Sequence, residues 1–170
     1  LKVARKGRVP HSLLRRWPSV NKRHISEKDR SMNVEASLSA QDALTALMIA
    51  VSASDEDIRT AELLKINSAI NNLPIFAAYD AGRLPQISQL VFDLFDQEDG
   101  LEALFGLIRD ALPEKLYETA YALSCDVAAA DGSIGGSEMR MLEEIRYELN
   151  LDRLYAAAIE RGARARHMTL

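Results

Sequence analysis

Apolar positions along this chain recur at three- and four-residue spacing, the period of helices that each bury one face. Leu44, Leu47, Met48 and Val51 mark a first helix over 40–53 with one buried stripe, and Ser39 with Asp42 forms a capping box with Asp in place of Glu. The segment SASDED breaks it. Ile58, Leu63, Ile66, Ala69, Ile70 and Leu73 carry a second helix over 57–72, which Pro74 ends. Pro85 sits at the first position of a third, over 85–96, with Ile87, Leu90, Val91 and Leu94 inward. Beyond Asp99-Gly100, Leu101, Leu104, Phe105 and Ile108 mark a fourth over 101–112. Pro113 begins a long fifth helix to about 130, carrying Leu116, Ala120, Leu123, Ser124 and Val127. After DGSIGGSE, Met141, Leu142, Ile145 and Leu149 mark a sixth over 137–149. Leu151, Leu154, Tyr155 and Ala158 mark a seventh over 151–160, and the tail RGARARHMTL reads as frayed. The pattern predicts an all-α bundle of about seven helices with no strand.

An internal repeat organises this run. A shift of 76 residues aligns 47–66, LMIAVSASDEDIRTAELLKI, with 123–142, LSCDVAAADGSIGGSEMRML. Leu47 meets Leu123, Val51 meets Val127, Asp55 meets Asp131, Ile58 meets Ile134 and Glu62 meets Glu138. The shared D-x-x-I-x-x-x-E spans a helix–corner–helix unit, so each copy, about 40–76 and 116–152, is expected to be a helical hairpin. Ile58 and Ile134 are expected to plug their corners into the core, with Gly132 shaping the second turn. Packing about an approximate two-fold axis would bring the two acidic corners together.

Two readings of the corner acids follow. The structural one makes Asp131, before Gly132 and Ser133, an Asx turn, and gives Glu62 and Glu138 the favourable field of a helix N-terminus. The functional one gathers Asp55, Glu62, Asp131 and Glu138, supplemented by Asp126 and Asp57, into a carboxylate cluster. Gathered carboxylates repel unless protonated or bridged by a cation, and such oxygen ligands suit Ca²⁺, Mg²⁺ or Mn²⁺. An EF-hand does not fit, because Gly135 falls at the fifth loop position and the twelfth lacks glutamate.

Charge divides the chain. Residues 1–31 hold ten Lys/Arg against two carboxylates, whereas the remainder holds eleven against 23, a net −12 that would repel nucleic acid. The basic head, with Trp17 beside Arg15 and Arg16, reads as disordered or as an extension from an upstream start before Met32. A nucleic-acid or membrane arm and a presequence are its alternatives. The body, 32–170, is one helical domain. All three histidines, His11, His24 and His167, fall in the expected tails, and Cys125 has no second cysteine, which disfavours a zinc site or a nucleophilic Cys–His pair. No run is apolar enough to cross a membrane.

The signature AAADGSIGGSEMRMLEEI over 128–145, its helical lead-in from Tyr117 and the degenerate first copy VSASDEDIRTAELLKI over 51–66 resemble the TerB-like tellurite-resistance family, whose fold is related to the N-terminal domain of DjlA-type co-chaperones. The resemblance covers roughly 40–160. It implies a pseudo-symmetric helical bundle of the cytoplasm, linked to metal sensing and stress response rather than catalysis. Its partners would be other tellurite- or stress-resistance proteins, in places at the inner membrane face. The family's acidic cluster, metal-bound in some members, maps onto Asp55, Glu62, Asp131 and Glu138, with Asp126 a neighbour. Glu56 and Asp57 replace Gly132 and Ser133 in the first copy, which puts equal ligation by the two halves in doubt. The function expected is a non-catalytic, divalent-metal-binding module acting through protein partners. The alternatives are a metal-free interaction or structural module and, further off, an enzyme using paired carboxylates.

Overall fold

A computed structural model describes residues 38–55 and 60–170. Among them are seven α-helices and no strand: α1 Ala40–Ser52, α2 Thr60–Asn72, α3 Leu84–Phe95, α4 Gly100–Ala111, α5 Tyr117–Ala128, α6 Gly136–Glu148 and α7 Arg153–Arg166. The basic head, Asp57 and Ile58 lie outside the described residues.

Helix α1 is the axis of the bundle. Ser39 accepts from the Asp42 amide and Asp42 returns a carboxylate to the Ser39 amide, so the capping box forms as its residues suggest. The single buried stripe expected of this helix is corrected: every residue from Asp42 to Ser52 is buried. Ala43, Ala46 and Ala50 leave room for close neighbours on the other faces, and α2, α3, α4, α5 and α6 all pack on it. Helix α5 lies against α1 and carries α7 on another side.

Two further differences have local causes. The long helix expected from Pro113 begins instead as a 3-10 turn over Glu114–Leu116, with the Leu116 amide donating to the Pro113 carbonyl, and becomes α-helical at Tyr117. Helix α7 does not fray at residue 160 but continues to Arg166, because Ala163 is buried and Arg166 pairs with Asp126 of α5. Between α3 and α4 the chains approach so closely that a β-carbon on Gly100 would lie 1.5 Å from the Leu94 carbonyl oxygen, and only glycine fits.

Candidate functional site

The two hairpin corners lie at the ends of α1 and α5, and each places a glutamate in the first turn of the following helix. Glu62 of α2 and Glu138 of α6 are both fully buried. Glu138 stands at the third position of α6 and accepts from the amide of Gly135, the residue before the helix. This is the returning half of a capping box, since Gly135 has no side chain to complete it. A β-carbon on Gly135 would lie 3.1 Å from Glu138 Oε2 and 3.9 Å from Asp55 Oδ2. The first corner's aspartate therefore reaches the second corner at Gly135.

The other candidate acids turn elsewhere. Asp131 is exposed and accepts from the Ser133 amide at 3.0 Å and the Ser133 hydroxyl at 3.2 Å, an Asx turn closed around Gly132 at φ +89°. Ile134 is partly buried and packs against the core. Asp126 faces α7, where Arg166 donates to it at 2.7 Å and His167 Nε2 lies 3.4 Å away. The expected divalent cation is overturned by this arrangement: among the described residues, no three His, Cys, Asp or Glu side chains form a group that could hold a metal ion. Calcium takes six to eight oxygens, whereas Asp131 bends into its own turn, Asp126 is drawn to α7 and Glu138 bonds a backbone amide.

Sequence reasoning missed two buried polar connections. Asp42, read as a cap, is also gripped by Arg83 through two bonds of 2.8 and 2.7 Å and receives the Tyr79 hydroxyl at 3.1 Å. Burial pushes its carboxyl up, but the bonds from Arg83, Ser39 and Tyr79 outweigh that and hold it below its ordinary value. Tyr121, buried on α5, donates to Glu160 of α7 at 2.7 Å, and burial followed by that bond raises its phenol. Partners some forty residues apart leave no signal in local spacing. Cys125, one turn on, is buried, and burial together with Glu160 and Asp126 pushes its thiol up to about 12, far from a reactive thiolate.

With the fold and corners described, the family can be stated. Residues 41–161 match the family described as "Tellurite resistance protein TerB". The chain belongs to the TerB family. That match spans nearly the whole described bundle, from the start of α1 into α7, and agrees with the resemblance carried by the second-corner signature. No curated protein and no solved structure matches this TerB-family chain. Among its described residues, no helix is long and apolar enough to cross a membrane.

Proposed function

We propose that the chain is a non-catalytic protein-interaction module of tellurite or general stress resistance in the cytoplasm, working without a bound metal. The observation that carries this reading is the TerB match over residues 41–161, joined to corner acids that the fold itself employs. Asp131, Glu138 and Asp126 bond to a hydroxyl, backbone amides and an arginine, which suits a fixed surface better than an ion pocket or a reacting centre. The high thiol of Cys125 likewise disfavours nucleophilic chemistry.

A duplicated frame belongs to the same proposal. Its units are the hairpins α1–α2 and α5–α6, about 40–76 and 116–152, within a domain of residues 32–170. Glu62 and Glu138 share burial and helical position, while α2 packs on α5 and α6 packs on α1, the exchange that an approximate two-fold axis makes. Asp55 beside Gly135 and Glu138 is where the halves meet.

The test joins a tellurite challenge of cells lacking the chain to in-cell cross-linking with mass-spectrometric identification. Sensitisation reversed by the chain, with another tellurite- or stress-resistance protein cross-linked to it, upholds the reading. Calorimetric titration with Ca²⁺, Mg²⁺ and Mn²⁺ should give no saturable heat. Unchanged survival with no cross-linked partner would sink the proposal, and so would a saturable ion abolished by Asp55→Asn.

A further inference from the structure

The corner between α6 and α7 is built rigidly and presents large apolar side chains to solvent. Helix α6 ends in a Schellman motif: the Leu151 amide donates to the Arg146 carbonyl and the Asn150 amide to the Tyr147 carbonyl, each at 3.0 Å, with Asn150 left-handed at φ +47°. Two residues on, Asp152 caps α7 by accepting from the Leu154 amide at 2.8 Å and the Tyr155 amide at 3.3 Å. A turn fixed at both ends holds its flanking side chains without help from a partner. Tyr147 is 76% exposed, Leu154 79% and Tyr155 61%. Singly such residues need no explanation, but Tyr147 lines a cleft of about 540 Å³ together with Arg146, Glu148, Asn150, Leu151 and Arg153, and Leu154 and Tyr155 follow Arg153 in sequence.

Charge identifies the occupant. Glu148, the one carboxylate in that lining, is paired with Arg109. Among the described residues, no carboxylate stands within ion-pair distance of Arg146 or Arg153. Arg146 in the last turn of α6 and Arg153 at the start of α7 thus stand at the corner, although the chain from residue 32 onward is net −12. Tyrosine and arginine, here Tyr147, Arg146 and Arg153 around a mostly polar, open cleft, are side chains on which interface energy concentrates. We propose that the α6–α7 corner is a docking site for an acidic segment of a partner protein, its carboxylates meeting Arg146 and Arg153 beside Tyr147. The proposal rests on the interaction-module reading and gives that partner a chemistry. An anionic lipid surface is the poorer occupant, because a plane meets the whole acidic body whereas a peptide meets only the corner.

The probe is a fluorescein-labelled peptide of glutamates around a Leu–Phe pair, titrated with the full chain and followed by anisotropy. Saturable binding is expected, weakened about tenfold by Tyr147→Ala and by Arg153→Glu. Lys65→Ala, on α2, should leave it unchanged, and the same peptide with lysines for glutamates should not bind. Equal binding by parent and corner variants overturns the proposal, since the basic head would then be the site. Absence of saturation overturns it, as does tighter binding to phosphatidylglycerol vesicles that Arg153→Glu abolishes. Its failure is distinct from failure of the interaction reading, because a cross-linked partner could persist in the Tyr147→Ala and Arg153→Glu chains.

Discussion

The hairpins α1–α2 and α5–α6 carry the same spacing of Asp, Ile and Glu, yet the fold fastens them by different means. The first is tied at its beginning: Asp42, near the start of α1, is bonded by Arg83 and Tyr79 from the segment before α3. Its matched position, Glu118 on α5, is exposed. The second is tied at its corner, where Asp126 lies against Arg166 and His167 and residues 167–169 cover the turn. A β-carbon on Gly132 would lie 3.5 Å from the His167 carbonyl oxygen and 3.6 Å from Thr169. The partner of Asp126 in the first copy is Ala50, which is buried among the helices. What both share is the buried glutamate at the start of the second helix. The 76-residue shift thus pairs like burial at Glu62 and Glu138, but neither burial at Asp42 and Glu118 nor the chemistry of the fastenings.

The largest asymmetry should appear at the matched pair Asp42 and Glu118. Removing one partner of a buried ion pair costs about 3–5 kcal/mol, reduced here because Arg83 is partly exposed and can turn to water, so Asp42→Ala should cost about 2–3 kcal/mol. Glu118→Ala should stay within about 0.5 kcal/mol. Urea unfolding of the two variants measures both, and equal losses would break the asymmetry. The pH dependence follows in sign. A carboxyl held lower in the folded chain stabilises it above the unfolded value of about 3.9, and that contribution disappears as pH falls through the lower folded value. Acidification below about pH 4 should therefore narrow the gap between parent and Asp42→Asn.

At the shared feature the two corners should behave alike. Glu138→Ala removes a charged bond to the Gly135 amide and leaves a hole in a closed site, a loss of about 2 kcal/mol. Glu62→Ala, buried at the matched position, should match it within the error of chemical denaturation. A Glu62 variant as stable as the parent would undo the duplicated frame.

The legible part of this molecule was its periodic part. All seven helices are present near the segments that apolar spacing marks, since a stripe must be buried whatever covers it. Ser39 with Asp42 and Asp131 with Ser133 were equally readable, because a cap or Asx turn is decided within a few residues. The full burial of α1 was not legible: Ala43, Ala46 and Ala50 look the same whether they face water or a second layer of helices. Asp126 is the clearest failure on the site. Its neighbours in sequence suggested a ligand, while the groups that use it lie forty residues away in a tail that reads as frayed. The grouping of the acids depended on which way each turned, and spacing does not encode that.

Among the described residues of the two hairpin corners, Gly132 has a backbone conformation that other residues rarely adopt. At φ +89° a side chain is strained, and the space above it is bounded by His167 and Thr169 in ordinary contact. Gly132→Ala should therefore cost about 1–2 kcal/mol, nearly all from backbone conformation, measurable as a lower urea midpoint with an unchanged slope. A fall in the slope would mean that the corner had opened rather than merely strained.

The smallest expected effect tests whether the second corner is held shut by α7. Asp126 and Arg166 are both partly exposed, so their pair is screened, and Asp126→Ala should lower global stability by no more than about 1 kcal/mol. Its local consequence should be larger than its global one. With Asp126 gone, Arg166 and His167 lose their partner on α5, while Ala156 still anchors the start of α7. Amide exchange should then accelerate over residues 163–167 and at Gly132, whose cover is the segment that Arg166 and His167 hold in place. Exchange at Ala53, at the end of α1, should not change, because that residue packs on Phe92 rather than on the C-terminal segment. If Ala53 responded as strongly as Gly132, the two corners would open as one unit, and their different fastenings would be incidental to their dynamics.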